Sequence, residues 1–125
     1  MNIPVELNYT KDHEWVKIEN NIATIGITDY AQGELGDIVF VDVDSVEDEL
    51  NEGDVFGSVE AVKTVSDLFL PLSGKIVEFN SALENNPELL NSDPYGKGWI
   101  VKLELKDGFS KELLLNSIEY QEVIG

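Results

Sequence analysis

The sequence contains no cysteine and no arginine, and His13 is its only histidine. Without cysteine the chain can form no disulfide, no thiolate metal site and no cysteine nucleophile, and one histidine is too few for an ordinary zinc cluster. No apolar run approaches the roughly 20 residues of a membrane-spanning helix. We therefore expect no metal site and no membrane association, and any sulfur chemistry must come from a cofactor.

Positive charge is also scarce, because 25 acidic residues outnumber 8 lysines and give a formal net charge of -17. Such a charge repels phosphate backbones and anionic lipid surfaces, so we expect no nucleic acid partner. Two explanations of the charge remain open. It keeps a small domain soluble, or it speeds brief encounters with basic partner proteins.

The chain has 125 residues, which is the size of one domain. We expect a single domain over residues 1–125 and a monomer. The N-terminal residues have neither the basic head and apolar stretch of a signal peptide nor the composition of a transit peptide, so we expect the protein in the cytoplasm.

Short segments of alternating apolar and polar residues recur along the chain and are separated by turn residues. Strands are predicted over 15–19, 24–28, 39–44, 55–62, 65–70, 76–79 and 99–106. In the third of these, Val39, Val41 and Val43 should form one apolar face. About one helical turn is predicted from Thr28 to Gly33, a short helix and loop over 81–91, and one or two short helices after residue 108. Many short strands indicate an all-β fold, mainly β with short helices, closed as a small barrel or sandwich.

Lys63 is the only basic residue among thirteen acidic ones between Ile18 and Gly74, and it lies where one predicted strand passes to the next. A lysine at a turn is usually a solvated charge that protects a strand edge from aggregation. A covalent arm, however, needs a primary amine on a rigid tip that several enzymes can reach. The pattern alone leaves both interpretations open.

The segment around Lys63 closely resembles the lipoyl attachment segment of glycine cleavage system H proteins, and further blocks match this family in the same order. The similarity covers nearly the whole chain, which makes it far more specific than a lone lysine motif. The matching blocks are Tyr9–Val16, Ile25–Gln32, Leu35–Asp37, Gly57–Leu68, Pro71–Gly74 and Asn91–Trp99.

The resemblance implies a barrel-sandwich hybrid of the lipoyl/biotinyl-domain type with short C-terminal helices. It implies N6-lipoyllysine at Lys63, on an attachment hairpin over about residues 55–79. The lipoyl arm would receive an aminomethyl group from glycine decarboxylase (P protein) and pass it to aminomethyltransferase (T protein). Dihydrolipoamide dehydrogenase (L protein) would reoxidise the arm, and a lipoate ligase or lipoyl transferase would attach it. The chain would be a carrier and not an enzyme.

Two related carrier classes fit less well. Biotin carriers usually have methionine on both sides of the lysine, whereas Val62 and Thr64 flank Lys63 here. Lipoyl domains of oxoacid dehydrogenases usually have aspartate before the lysine, and they lack the blocks around Trp15 and Tyr95.

Four charged or titratable residues are candidates for supporting roles. Glu60 and Asp67 could be recognised by the attaching ligase, although solvated hairpin charges explain them equally well. His13 and Glu14 could line a groove that shelters the charged amine of the loaded arm, or they could be ordinary strand residues beside Trp15.

Three other functions remain to be separated from the shuttle. In an enzyme, His13 would be a general base oriented by Asp12 or Glu14, but adjacent strand residues point to opposite faces and no nucleophile motif appears. In a lipoate relay, Lys63 would donate lipoyl groups to other lipoyl domains. A structural binding module would keep its partners after Lys63→Ala, whereas either carrier would lose all arm chemistry.

Overall fold

The computed structural model describes residues Met1–Gly125 and contains nine β-strands and four short helices. The predicted mainly-β class is therefore confirmed. The elements in chain order are β1 (Asn8–Tyr9), β2 (Glu14–Glu19), β3 (Ile22–Ile27), α1 (Asp29–Leu35), β4 (Ile38–Asp42), β5 (Glu49–Leu50), β6 (Val55–Ala61), β7 (Val65–Phe69), β8 (Gly74–Phe79), α2 (Ala82–Asn85), α3 (Leu89–Ser92), β9 (Val101–Leu105) and α4 (Ser117–Ile124).

The strands form two antiparallel sheets. The larger has the order β1-β2-β3-β9-β8-β5, and the smaller has the order β4-β6-β7. The hairpin predicted around Asn20 joins β2 to β3, and Asn20 itself adopts φ 58°, a conformation that asparagine tolerates better than most residues. The smaller sheet carries the predicted attachment hairpin, β6 and β7.

Apolar residues from both sheets pack into one core of 21 buried residues. Val16 and Ile25 come from the larger sheet, and Val59 and Leu68 from the smaller one. Removal of this apolar surface from water is the main force that holds the two sheets face to face. No helix has the length and the hydropathy to cross a bilayer.

A second, smaller cluster lies beneath the C-terminal helix and consists of Leu7, Tyr9, Trp15 and Tyr120. The rings of Tyr9 and Tyr120 stack with centroids 4.8 Å apart. The cluster fixes α4 against the strand β1 and brings the end of the chain beside the segment that contains His13.

Two local features differ from the sequence-based expectations. Val39 is 47% exposed, because the pairing of β4 with β6 shifts register between Ile38 and Phe40 and turns Val39 away from the core. Helix α1 runs two residues beyond Gly33 and ends at Leu35, with Gly36 as its C-cap. The expectation of one or two short helices after residue 108 is confirmed, with one helix, α4.

Candidate functional site

Lys63 lies in the tight turn between β6 and β7. The backbone N–H of Ala61 donates to the carbonyl of Thr64 over 2.7 Å, which leaves Val62 and Lys63 at the tip. Both tip residues are exposed. A hydrogen-bonded turn between two paired strands gives Lys63 a rigid base and an open approach.

A second contact fixes the tip to the body of the protein. The N–H of Val62 donates to the carbonyl of Asp37 over 3.0 Å. Gly36, the preceding residue, has φ 80°, and a methyl group added to it would lie 3.4 Å from Cε of Lys63. The aliphatic part of Lys63 therefore lies beside the glycine that caps α1, in ordinary van der Waals range of a methyl group placed there.

The amine of Lys63 has no acidic partner within salt-bridge distance, although the surrounding segment is strongly acidic. The ion pairs of the molecule involve Lys17, Lys75 and Lys102 instead. An unpaired, exposed amine loses no ion pair when it is acylated.

The two residues expected to guide the attaching ligase lie on the strands next to the tip. Glu60 precedes the turn, is exposed and pairs across the hairpin with Val65. Asp67 is exposed on β7, opposite Ser58. Neither carboxylate takes part in an ion pair or a side-chain hydrogen bond, so both are available to a partner.

Beside the hairpin, a cavity of about 240 Å³ opens between α1, the segment before β2, and the smaller sheet. Because water occupies about 30 Å³ per molecule in the liquid, the space suits the end of an arm but not a large ligand. Its wall includes Leu35, next to the Gly36 that touches Lys63. The lining residues are Asp12, His13, Ile27, Tyr30, Ala31, Glu34, Leu35, Val59, Ser66, Asp67 and Leu68.

His13 is on the wall of this cavity. Its backbone adopts φ 65°, and its Nδ1 lies 2.9 Å from the hydroxyl of Tyr120. Burial lowers the pKa of His13, although the nearby carboxylates Asp12 and Glu34 act in the opposite direction. The imidazole is therefore oriented by a phenol, and not by Asp12 or Glu14 as the enzyme alternative would require.

Glu14 lies directly after His13 but is buried, with 2% of its surface exposed, and it is not among the cavity-lining residues. Its Oε2 accepts the N–H of Phe69 over 2.8 Å, whereas its Oε1 has no hydrogen-bond partner. Burial is the largest cause that raises the pKa of Glu14 to about 8, against the lowering effect of the Phe69 bond.

The cavity wall also contains Tyr30, Glu34 and Ser66, which the sequence alone did not single out, and Asp12, which was considered only as an orienter of His13. Asp12 and Tyr30 stand inside the matching blocks and could have been found there. Glu34 carries no such signal, because only the packing of α1 against the hairpin brings it to the cavity.

The matching blocks, which are far apart in sequence, meet beside the cavity. The indole N–H of Trp15 donates to the carbonyl of Pro94 over 2.9 Å. The hydroxyl of Tyr95 accepts from the N–H of Asp29, the first residue of α1. These contacts fix α1 and the segment before β2, and so position two walls of the cavity.

Comparison with known proteins agrees with this arrangement. The family model described as "Glycine cleavage H-protein" matches residues 7–125. The chain is 62% identical over 125 residues to a glycine cleavage system H protein of Staphylococcus epidermidis, with 100% of this chain and 99% of the relative covered. It is 60% identical over 125 residues to the protein of the same description from Staphylococcus haemolyticus, with the same coverage.

A solved structure gives the same result. The crystal structure of a glycine cleavage system H protein from Mycobacterium marinum superimposes with a TM-score of 0.87 at 39% identity, and the match covers 96% of this chain and 97% of that one. The predicted barrel-sandwich fold is thereby confirmed. The chain belongs to the glycine cleavage H-protein family, the lipoyl carriers of the glycine cleavage system.

Proposed function

We propose that this chain carries a lipoyl group on Nζ of Lys63 and acts as the shuttle of the glycine cleavage system. The observation that carries the proposal is the exposed, unpaired amine at the tip of the β6–β7 turn. Both strands and the Val62–Asp37 hydrogen bond hold the tip, so an attaching enzyme meets one fixed geometry.

The residues at the tip fit a covalent arm. Lys63 supplies a primary amine whose proton must be removed as the amide forms, which the attaching enzyme has to assist. Gly36 leaves room for the stem of the lysine. When bound, the lipoyl group supplies the sulfur chemistry that a chain without cysteine lacks and takes up an aminomethyl group.

We infer that the cavity shelters the end of the loaded arm. Asp12, Glu34 and Asp67 line it, so it suits a cationic amine, and its apolar wall limits access of water. His13 contributes to the wall. Glu14 would act from behind it, because Oε1 is buried without a partner and an amine that reached it would favour the ionised carboxylate, against the burial that raises the pKa of Glu14 to about 8.

Glu60 and Asp67 are proposed as the residues by which the lipoate ligase or lipoyl transferase distinguishes Lys63 from the other lysines. We expect Glu60→Gln and Asp67→Asn to slow attachment severalfold. Glu112→Gln is the matched control, because Glu112 is also exposed and has no ion pair. Equal rates for all three variants would remove Glu60 and Asp67 from this role.

The proposed partners are glycine decarboxylase, aminomethyltransferase and dihydrolipoamide dehydrogenase, together with the attaching enzyme. The hydroxyl bonded to Nδ1 of His13 is that of Tyr120, which is fully buried and out of reach of a substrate, so each chemical step is assigned to a partner. The relatives named above are bacterial, which supports the cytoplasm as the compartment.

The shuttle is tested with purified decarboxylase and the lipoylated chain. We expect exchange of the glycine carboxyl group with bicarbonate, and its loss in Lys63→Arg, which keeps the charge but cannot be lipoylated. Lys97→Arg, in an exposed turn elsewhere, is the control and should keep full activity. Lipoyl transfer to an oxoacid dehydrogenase domain without glycine exchange would instead establish the relay.

A further inference from the structure

Three side chains from distant parts of the sequence form a hydrogen-bonded chain that ends at the cavity. The hydroxyls of Thr28 and Tyr120 lie 2.7 Å apart, and the hydroxyl of Tyr120 lies 2.9 Å from Nδ1 of His13. Thr28 and Tyr120 are both fully buried, with 0% exposure. Their hydrogens must therefore find partners within the protein.

The direction of the hydrogen bonds from Thr28 to His13 follows from counting their donors and acceptors. Oγ1 of Thr28 already accepts the N–H of Ala31, as the N-cap of α1. The hydroxyl hydrogen of Thr28 then has one available acceptor, the oxygen of Tyr120, and the hydrogen of Tyr120 is left for Nδ1 of His13. The reverse direction would leave the buried hydrogen of Thr28 without a partner, which costs about 1–3 kcal/mol.

This direction fixes the state of the imidazole. Because Nδ1 accepts a hydrogen bond, the neutral ring carries its hydrogen on Nε2. Nε2 has no partner within the protein and is reached by solvent, so it is the ring atom that His13 can offer to the cavity. A second proton, on Nδ1, would point at the O–H of Tyr120. The hydrogen bonds among His13, Tyr120 and Thr28 would then all have to reverse their direction.

We propose that Tyr120, supported by Thr28, is a positioning residue that holds His13 neutral with its hydrogen on Nε2 and so keeps the cavity anionic for a cationic ligand group. The part that concerns the cavity rests on the proposed function. The charged or titratable groups around His13 are Asp12 and Glu14 from its own segment, Tyr30 and Glu34 from α1, Asp67 from β7 and Tyr120 from α4.

The balance among these groups shows why the hydrogen bond from Tyr120 affects the charge of the cavity. Asp12 and Glu34 favour a protonated imidazole, whose positive charge would neutralise one of the carboxylates and repel an amine. Burial and the Tyr120 bond oppose that protonation. The C-terminal helix therefore contributes to the site through one hydroxyl, although none of its residues lines the cavity.

The test uses NMR of the ring nitrogens in protein labelled at histidine, where the single histidine gives unambiguous signals. In the unlipoylated protein near neutral pH, we expect a bare Nδ1 and a protonated Nε2. Tyr120→Phe should mix the two tautomers and move the titration midpoint up, towards the ordinary value of about 6.5. Thr28→Ser keeps the hydroxyl and should resemble the wild type.

Tyr9→Phe is the matched control, because Tyr9 is equally buried and stacks on Tyr120, but its hydroxyl donates to Pro4. It should leave the signals of His13 unchanged. A wild-type ring protonated at Nδ1 would overturn the proposal even if Tyr120→Phe failed to fold. Equal titration midpoints in Tyr120→Phe and Tyr9→Phe would overturn it as well.

A second readout tests the link to the cavity. At a pH of about 6.5, a larger share of His13 should be protonated in Tyr120→Phe than in Tyr9→Phe, so the loaded arm should decay faster in Tyr120→Phe. At a pH of about 8.5 the two should be equal. Equal decay at both pH values would overturn the cavity role. Failure of Lys63 to accept lipoate would contradict the proposed function but leave the tautomer result standing.

Discussion

Glu14 is a carboxylic acid that the fold keeps almost wholly out of water. Its burial predicts the direction in which the free energy of unfolding changes with pH. Its pKa is raised to about 8 from an ordinary value of 4.5. Between pH 4.5 and about 8 the unfolded chain has released this proton, whereas the folded chain still holds it. The free energy of unfolding is therefore highest below pH 4.5 and falls as the pH rises through about 8.

We therefore expect the free energy of unfolding of the wild type, relative to Glu14→Gln, to fall by a few kcal/mol, of the order of 1 kcal/mol per pH unit, between these limits. Urea unfolding at a series of pH values measures this difference. Glu112→Gln should give a curve parallel to the wild type. A parallel curve for Glu14→Gln would show that Glu14 ionises normally in the folded protein.

At this scale the sequence reveals Lys63 far better than it reveals the cavity. Lys63 stands out because it is the lone cation of a long acidic segment. Alternation places Glu14 on the same face of β2 as the buried Val16, but it does not show that Oε1 of Glu14 is left without a hydrogen-bond partner. The bond from Tyr120 to His13 joins residues 107 positions apart, which no local pattern specifies.

The end of α1 is the element that connects the cavity to the turn that carries Lys63. Gly36 has φ 80°, and a methyl group there would contact the stem of Lys63. We expect Gly36→Ala to lower the free energy of unfolding by about 1–2 kcal/mol, because the conformation strains an L-residue, and to slow lipoylation. Chemical unfolding and a ligase assay measure the two effects.

Gly33 provides the control within the same helix. A methyl group at Gly33 would meet nothing within 4 Å, and alanine is favoured over glycine in a helix by about 1 kcal/mol. Gly33→Ala should therefore stabilise the protein and leave lipoylation unchanged. Similar stability and attachment rates for the two variants would show that Gly36 is not required at this position.

Most elements were predictable because their apolar residues alternate with polar ones and turn residues separate them. The β2–β3 hairpin and the two strands around Lys63 are confirmed within two residues at their ends. Val39 was placed on the wrong face because a register shift depends on the partner strand and leaves no mark in the sequence of β4. Helix α1 passes Gly33 because Thr28 caps it and its packing outweighs the cost of one glycine.

For the whole molecule, the net charge of -17 is the property that acts at long range. If it guides encounters with basic surfaces on the partners, the association rate with aminomethyltransferase should fall at least about tenfold between roughly 0.01 M and 0.15 M salt, because the Debye length shrinks from about 30 Å to about 8 Å. Stopped-flow measurement of the rate against ionic strength checks this. A rate independent of salt would leave solubility as the explanation of the charge.

The overall fold followed from the family resemblance more than from composition. Short alternating strands indicate a small barrel or sandwich but do not fix the strand order β1-β2-β3-β9-β8-β5, because pairings such as β3 with β9 are remote in sequence. The ordered blocks supply this information, since in this arrangement the blocks that contain Trp15 and Pro94 meet.

The site of attachment is tested most directly by intact-mass measurement and peptide mapping after incubation with lipoate, ATP and a lipoate ligase. We predict one lipoyl addition, confined to Lys63, with a change in formal charge to -18 because seven lysines then remain against 25 carboxylates. Lys63→Arg should take up none, and Lys97→Arg should take up one. No addition to the folded wild-type protein, or addition at another lysine, would contradict the account.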